Sequence, residues 1–143
     1  MGATVQWRGE HEREPARYGR AVTFGNLRDR CTGYMSYSDR AGPGIVVLGG
    51  SAALCDRLTE EGFTALAPDL TDLDETTADR VVAAAVDHLL DNWHPRVGVL
   101  SFEGTHELAL RVDERRGLDA VVGLAIESDV DEDVLDDLRY DLS

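Results

Sequence analysis

Residues 97–106 have the pattern of a turn that presents a catalytic side chain. They read V-G-V-L-S-F-E-G-T-H, an apolar run followed by a small residue, two further residues, a glycine and a helical pattern. This pattern is typical of a nucleophile elbow, a sharp strand-to-helix turn that holds a nucleophile above a sheet. The residue at the tip is Glu103, where serine or cysteine would be expected. The segment therefore predicts an elbow without its usual nucleophile.

Three interpretations of this turn are open. In the favoured one, Glu103 is a carboxylate that the helix dipole and unpaired amides stabilise, and it does no chemistry. In the second, Glu103 is an acidic nucleophile, which needs a histidine to activate water. His106 lies only one helical turn later and is expected beside Glu103, as a surface or interface pair. In the third, Ser101 is the nucleophile with His106, but its side chain is expected to point into the layer between sheet and helix.

A second group of candidate residues precedes another predicted helix. Gly49-Gly50-Ser51 stands at its start, where backbone amides can bind an anion. Ligand contacts are therefore expected from six residues at the two turns, Gly49, Gly50, Ser51, Ser101, Phe102 and Gly104. No metal or cofactor is predicted, because the four histidines have no metal-ligand spacing and the acidic C-terminal segment lacks the glycine and register of a calcium loop.

The elements that must position these residues alternate between strands and helices. Two β-rich runs predict an antiparallel hairpin, and four later apolar runs predict strands covered on both faces. Helical patterns follow each of these four runs. Strands are expected over 20–24, 32–37, 44–48, 63–67, 96–102 and 119–126, and helices over 52–61, 76–92, from 103 or 104 to 116, and in the acidic C-terminal segment. The fold class is therefore α/β, a mostly parallel sheet with helices on both faces and ligand sites at the carboxyl ends of the strands.

Composition limits the kind of partner. The chain has 143 residues and a net charge of −14, which argues against nucleic acid or an anionic membrane as a partner. The N-terminus has no apolar segment typical of a secretory signal, and Cys31 and Cys55 are expected to be buried, reduced thiols, so a cytoplasmic location is predicted. Residues 1–19 are expected to form an irregular arm and residues 20–143 a single domain.

Three blocks of sequence, taken in order, resemble the dienelactone hydrolase family of the α/β-hydrolase fold. GYMSYSDRAGPGIVVL is similar to that family's second strand, Gly-Pro-rich loop and third strand, and CDRLTEEGFTALAPDL to its next helix and strand. RVGVLSFEGTHELAL stands where the family has its elbow, typically G-x-C-x-G-G. The resemblance runs from about residue 21 to residue 127. It implies an α/β-hydrolase sheet and activity on ester- or lactone-type substrates.

The departures from the family pattern fall on its catalytic parts. The family's cysteine nucleophile matches Glu103, the glycine two residues earlier matches Ser101, and the two following glycines match Thr105 and His106. The loop after the third strand looks deleted, and no residue matches the Asp or His of the family's triad. The resemblance therefore implies a shortened sheet with an altered catalytic motif.

Two functions follow as hypotheses. The first is a non-catalytic, dienelactone-hydrolase-like module for binding or assembly, and the alternative is a small hydrolase that uses Glu103 or residues supplied by a partner chain. In a shortened sheet, residues 118–126 would lie near an open edge, which proteins rarely leave uncovered. The C-terminal helix, a homodimer contact or a partner subunit is expected to cover it. A small-molecule ligand at the strand ends is a further expected partner.

Overall fold

A computed structural model describes residues 19–25, 30–38, 42–92 and 96–142. In chain order its strands are β1 Gly19–Phe24, β2 Cys31–Ser36, β3 Gly44–Leu48, β4 Thr64–Pro68, β5 Val97–Phe102 and β6 Ala120–Leu124. Its helices are α1 Ala52–Glu60, α2 Glu75–Asp91, α3 His106–Arg116 and α4 Glu132–Asp141, with a short 3₁₀ turn at Glu127–Asp129. The predicted arm lies outside the described residues, apart from Gly19, which begins β1.

The described strands form one mixed sheet in the order β1-β2-β4-β3-β5-β6. The first two strands pair antiparallel, as the hairpin prediction required, and β2 also runs antiparallel to β4. The remaining pairs, β4 with β3, β3 with β5 and β5 with β6, are parallel. The predicted α/β class and its mostly parallel sheet are therefore confirmed.

Alternating side chains of the central strands supply two separate apolar layers. In β3, Val46 and Leu48 pack with α2 and α3, whereas Ile45 and Val47 pack with α1 and α4. All five residues of β3 and all six of β5 are buried. This burial explains why both strands read as continuous apolar runs rather than as an alternation of apolar and polar residues.

The helices begin and end where local chemistry favours it. Asp74 caps α2 by accepting a hydrogen bond from the Thr77 N–H at 2.7 Å, and Gly117 ends α3 in the left-handed conformation with φ 67°. The apolar residues of α2 predict one buried stripe of six, Val81, Val82, Ala85, Val86, Leu89 and Leu90. Five of these six are buried, and Leu90 is 45% exposed. Within the described residues, no helix has the length and apolar character needed to cross a membrane.

The C-terminal segment forms α4 on the same face of the sheet as α1. The spacing of Val130, Val134, Leu138 and Leu142 predicts one apolar stripe in this segment, and three of these residues are buried. Val134 is only partly buried, and Leu135 beside it is fully buried in the same cluster. Arg139 forms an ion pair with Glu61 at the end of α1, which joins the two helices.

Strand β6 is the last strand of the described sheet. Its residues from Val121 to Leu124 are half-buried or exposed, unlike those of β5 beside it. The apolar side chains of α4 belong to the same buried cluster as Leu100 and Ala120, on one face of the sheet. The open edge that the sequence predicted is therefore present among the described strands.

Candidate functional site

The turn between β5 and α3 holds Glu103 at the carboxyl end of the sheet. The side chain of Glu103 is exposed, and its N–H donates to the Ala125 carbonyl at 3.4 Å. The positive φ of this turn, 97°, is at Gly104, and Glu103 has an ordinary negative φ. The strained backbone expected at the tip residue therefore lies one residue later, on a glycine that adopts it without a Cβ penalty. Helix α3 begins at His106, not at Glu103 or Gly104 as predicted, because this turn intervenes.

Ser101 and His106 form a hydrogen-bonded pair on the α3 side of the sheet. Ser101 Oγ lies 2.9 Å from His106 Nδ1, and Ser101 is fully buried. The expectation that Ser101 points into the layer between sheet and helix is confirmed. The expectation that His106 pairs with Glu103 is wrong, because the imidazole turns toward β6. A Cβ at position 123 would lie 2.4 Å from His106 Nδ1. The lack of a side chain on Gly123 therefore leaves room for the imidazole ring.

The Ser101 hydroxyl has two hydrogen-bond partners within the chain. Besides its contact with His106 Nδ1, Ser101 Oγ lies 3.4 Å from the Val122 carbonyl, to which it can donate. Which group donates between Ser101 and His106 depends on the tautomer of the imidazole. In either tautomer, the burial of Ser101 denies a substrate access to the hydroxyl.

The predicted anion site at Gly49-Gly50-Ser51 already holds a carboxylate of the chain itself. Ser51 is the N-cap of α1, as predicted, and its hydroxyl accepts a hydrogen bond from Leu54 N–H at 3.2 Å. Ser51 also donates twice to Glu127, from N–H at 2.9 Å and from the hydroxyl at 2.6 Å. Glu127 follows β6, and its position at a strand end was the sequence signal for this role. The fixed anion therefore takes the place expected for a ligand.

The ends of β3 and β5 flank the point where the strand order reverses. From β3 the chain passes through α1 to β4 on one side, and from β4 it passes through α2 to β5 on the other. Ligands of open α/β sheets bind in the crevice at such a point. Here Thr105 Oγ1 accepts from Phe102 N–H at 3.0 Å and lies 3.1 Å from the Leu48 carbonyl. Its methyl group lies 3.7 Å from the position of a Cβ on Gly49, so the Thr105 side chain lies between the ends of β3 and β5.

Phe102, another predicted ligand contact, belongs to the core. Its side chain is 7% exposed and packs in the layer of α1 and α4. Its ring lies 3.6 Å from where a Cβ on Gly50 would stand. The ring therefore packs under the Gly49-Gly50 turn, and Phe102 contributes to packing and not to an open site.

An open cleft of about 610 Å³ lies beside the closed crevice, toward β4 and β2. Of the predicted site residues only Gly49 and Gly50 line it. The other lining residues are mostly small or apolar, Ala21, Thr32, Gly33, Tyr34, Ala52, Ala67, Pro68, Asp69, Leu70 and Thr71. Sequence reasoning missed this cleft because it depends on small side chains from two pairs of strands that are distant in sequence.

Two acidic side chains are fixed at or near this cleft. Asp69 Oδ1 accepts from Thr71 N–H at 3.0 Å, and hydrogen bonds from Thr71 lower the pKa of the Asp69 carboxyl. Asp56 accepts from the Tyr34 hydroxyl at 2.8 Å and from the Ser36 hydroxyl at 2.9 Å. Burial, and then the neighbouring Asp56, raise the pKa of Tyr34. The phenol of Tyr34 therefore remains a neutral donor to Asp56.

Among the described residues, the two cysteines form no disulfide and the candidate metal ligands form no group that could hold a metal ion. Cys31 and Cys55 are buried, as predicted, and no disulfide joins them. Burial raises the pKa of the Cys55 thiol to about 12, with the nearby Asp56 as the next cause. Over residues 19–25, 30–38, 42–92 and 96–142, no three His, Cys, Asp or Glu side chains are grouped so that they could hold a metal ion.

No protein-family model and no curated protein matches this sequence. Among solved structures, the chain is similar to an α/β-hydrolase from Penicillium, at 14% identity and a TM-score of 0.63 over 73% of this chain and 45% of that one. It is similar to a thermostable carboxylesterase from a metagenomic library, at 18% identity and a TM-score of 0.62 over 77% of this chain and 47% of the other. A dienelactone hydrolase from Anabaena variabilis shares 20% identity, with a TM-score of 0.61 over 73% of this chain and 62% of its own.

This chain has the α/β-hydrolase fold. It spans about half the length of the first two of these structures and 62% of the dienelactone hydrolase. In this chain β3 and β5 are adjacent parallel strands, and the turn that contains Gly104 follows β5. At such identities the likeness establishes the fold, and the activities named for those proteins are theirs.

Proposed function

We propose that this chain is a non-catalytic, dienelactone-hydrolase-like module of the α/β-hydrolase fold, which binds or assembles rather than hydrolyses. One observation supports this most strongly. The crevice between the ends of β3 and β5 is occupied by groups of the chain itself, the Thr105 side chain and the Glu127 carboxylate bound to Ser51. A substrate carbonyl would need that space.

The serines at these turns do not meet the requirements of acyl hydrolysis. The reaction needs an accessible nucleophile, a base that receives its proton, and donors for the developing oxyanion. The Ser51 N–H, a suitable donor by position, is already bonded to a carboxylate. Ser101 is buried, and His106 contacts it through Nδ1 in a structural hydrogen bond.

A hydrolase that uses Glu103 is the second candidate. The exposure of Glu103 at the carboxyl end of β5 supports it, because the carboxylate is accessible from solvent. The turn also stands where the resembled family has its nucleophile. Glu103 would attack the acyl carbon of the substrate to form a mixed anhydride and release the alcohol. Water activated by a base would then hydrolyse the anhydride, releasing the acid and restoring the carboxylate.

Turnover of p-nitrophenyl acetate and of a dienelactone distinguishes the two candidates. The non-catalytic module is expected to give rates equal to the buffer rate for wild type and for Glu103→Gln. Glu107→Gln is the matched control, because it removes the same charge from the exposed first turn of α3. Turnover that Glu103→Gln abolishes and Glu107→Gln preserves would establish the hydrolase instead.

A second copy of this chain is the partner that we propose for the edge of β6. Asp119 N–H bonds to Val97, and the Ala125 carbonyl accepts from Glu103, so the odd-numbered residues of this segment bond toward β5. In a parallel strand the alternate residues, Val122 among them, then present their N–H groups away from β5. Ile126, 57% exposed, and Leu110, 48% exposed, add apolar surface to this copy-to-copy contact.

Light scattering across a range of protein concentrations tests this contact. Wild type is expected to be a dimer, and Val122→Pro to be a monomer, because proline removes an outward N–H while sparing the ladder to β5. Val122→Ala keeps that N–H and is expected to remain dimeric. A wild type that stays monomeric at every concentration overturns the contact.

The buried, reduced thiols support the proposal that the protein functions in a reducing compartment such as the cytoplasm.

A further inference from the structure

The cleft between the Gly49-Gly50 turn and β2 is separate from the crevice between the ends of β3 and β5, because neither Ser101 nor Thr105 lines it. Its 610 Å³ is within the range of small-molecule sites. It opens at the edge where β3 and β4 end, and the backbone of β2 forms one wall. Gly33 lets the backbones of β2 and β4 approach closely in that wall, because a Cβ there would lie 2.5 Å from the Ala67 carbonyl oxygen. The cleft therefore results from close packing of backbones, which side-chain movement does not remove.

Apolar surface covers most of the cleft, and one carboxylate stands in it. Pro68, Leu70 and the Tyr34 ring supply the larger apolar groups. The ring of Tyr34 is held by Asp56 at one end and by Gly19 beneath it, where a Cβ would lie 2.2 Å from the ring. Among the residues lining the cleft, Asp69 has the single acidic side chain.

Asp69 is both positioned and charged. Its backbone N–H donates to the Thr32 carbonyl at 2.8 Å, which fixes the residue at the end of β4. Thr71 N–H holds Oδ1 and the Thr71 side chain also hydrogen-bonds to the carboxylate, whose two oxygens still have lone pairs for a ligand. The same hydrogen bonds lower the carboxyl pKa, so the group is ionised at neutral pH. The helix α1 amide that would favour an anion here, that of Ser51, is already bonded to Glu127.

We propose that this cleft binds a small organic cation, an apolar body that carries an ammonium group hydrogen-bonded to Asp69. The apolar body lies against Tyr34, Pro68 and Leu70, and the ammonium replaces solvent at the carboxylate. This inference names the ligand class of the binding role proposed above. It does not depend on the absence of hydrolysis, so an esterase result leaves it intact.

Amide chemical shifts measured by NMR during titration with three matched probes test this assignment. Benzylamine, benzyl alcohol and benzoate share a ring and differ in charge. Benzylamine is expected to shift the Gly33, Gly50 and Thr71 amides and to bind roughly fivefold more tightly than benzyl alcohol, as one exposed charge pair allows. Benzoate is expected to shift none of them.

Two charge-matched variants separate Asp69 from the general acidity of the protein. Asp69→Asn keeps the acceptor for Thr71 N–H and is expected to reduce benzylamine affinity to that of benzyl alcohol. Asp72→Asn removes the same charge three residues later and is expected to leave the affinity unchanged, and asparagine tolerates the φ of 60° at that position. Ala52→Leu narrows the cleft and is expected to weaken both neutral and cationic probes.

Four results overturn the assignment, and three of them concern the probes and the charge variants. These are equal shifts from benzoate and benzylamine, an equal loss of affinity in Asp69→Asn and Asp72→Asn, or no shift at the cleft amides with any probe while the spectrum remains that of the folded chain. An affinity for benzylamine that survives Ala52→Leu moves the site elsewhere and overturns it as well.

Discussion

The carboxylate of Glu127 accepts two hydrogen bonds from Ser51, one from the backbone N–H and one from the hydroxyl. This contact joins the segment after β6 to the first turn of α1, across the end of β5. The two residues are 76 positions apart in the sequence. The carboxylate also interacts favourably with the positive end of the helix dipole.

Loss of this contact is expected to destabilise the chain. Ser51→Ala removes the N-cap and is expected to lower the free energy of unfolding by about 1 kcal/mol. Glu127→Gln is expected to lower it by about 0.5 kcal/mol, as a partly exposed pair does. Urea unfolding of both single variants and the double variant measures the coupling, with Asp137→Asn as an exposed control. Strict additivity of the two losses would show that the residues do not interact.

The position of the His106 ring depends on Gly123. Gly123→Ala is expected to displace the imidazole from Ser101 and to lower the free energy of unfolding by about 1 kcal/mol, the value of one hydrogen bond. In a His106→Ala background the same change is expected to be neutral or stabilising, because alanine suits a strand better than glycine does. Thermal unfolding measures both. Equal losses in the two backgrounds would exclude the contact between ring and strand.

The ion pair between Asp79 and Arg111 is the buried link between α2 and α3. Asp79 has an 8% exposed side chain, and Arg111 approaches it through Nε at 3.1 Å and a terminal nitrogen at 3.0 Å. Arg111→Met leaves a buried carboxylate with only the longer contact to Arg115. We expect this variant to lose at least about twice as much stability as Arg116→Met, which breaks the exposed pair with Asp87 between the same helices. Similar losses of unfolding free energy in Arg111→Met and Arg116→Met, measured with urea, would contradict the expectation that the buried pair contributes more than the exposed one.

Alkaline pH is expected to destabilise the fold through Cys55. Its thiol has a pKa of about 12 when folded, above its ordinary value of 9.0, so the folded state binds the proton more tightly. The stability that this thiol contributes is complete below pH 9 and is lost as the pH rises from 9 toward 12. Tyr34, whose pKa is also raised, adds to the loss above its ordinary value of 10.0.

Variants at these two positions assign the alkaline loss. Cys55→Ala is expected to flatten the dependence of unfolding free energy on pH above 9, and Tyr34→Phe to flatten it above 10. Each is compared with wild type by urea unfolding at matched pH values. A wild-type stability that is constant between pH 8 and about pH 11 would contradict both assignments.

The strands and helices were predictable because the period of the apolar residues and the positions of the capping residues indicate the same elements. The apolar run of β3 and the stripe of α2 each match burial in the structure. The bounds differ by one or two residues, except at the start of α3, where a turn around Gly104 delays the helix. The resemblance to a known family implied an α/β-hydrolase sheet, and the order of the strands agrees with it.

Only the location of the candidate site was predictable from the sequence. The elbow after β5 and the turn after β3 were located, but the groups that fill the crevice, Thr105 and Glu127, were not assigned that role. Their contacts join residues 57 and 76 positions apart, and no spacing in a single sequence encodes such a distance. The direction of His106 depended on Gly123, which is in a different strand.

The Thr105 bridge has a consequence for any attempt to install a hydrolase activity on this scaffold. Replacing Glu103 by serine or cysteine supplies a nucleophile but no room for an acyl group, because the Thr105 side chain still joins the ends of β3 and β5. A base would also be missing, since His106 faces away from the tip. Engineering of this fold therefore has to begin by emptying the crevice, with Thr105 and Glu127 replaced before any reactive side chain is introduced.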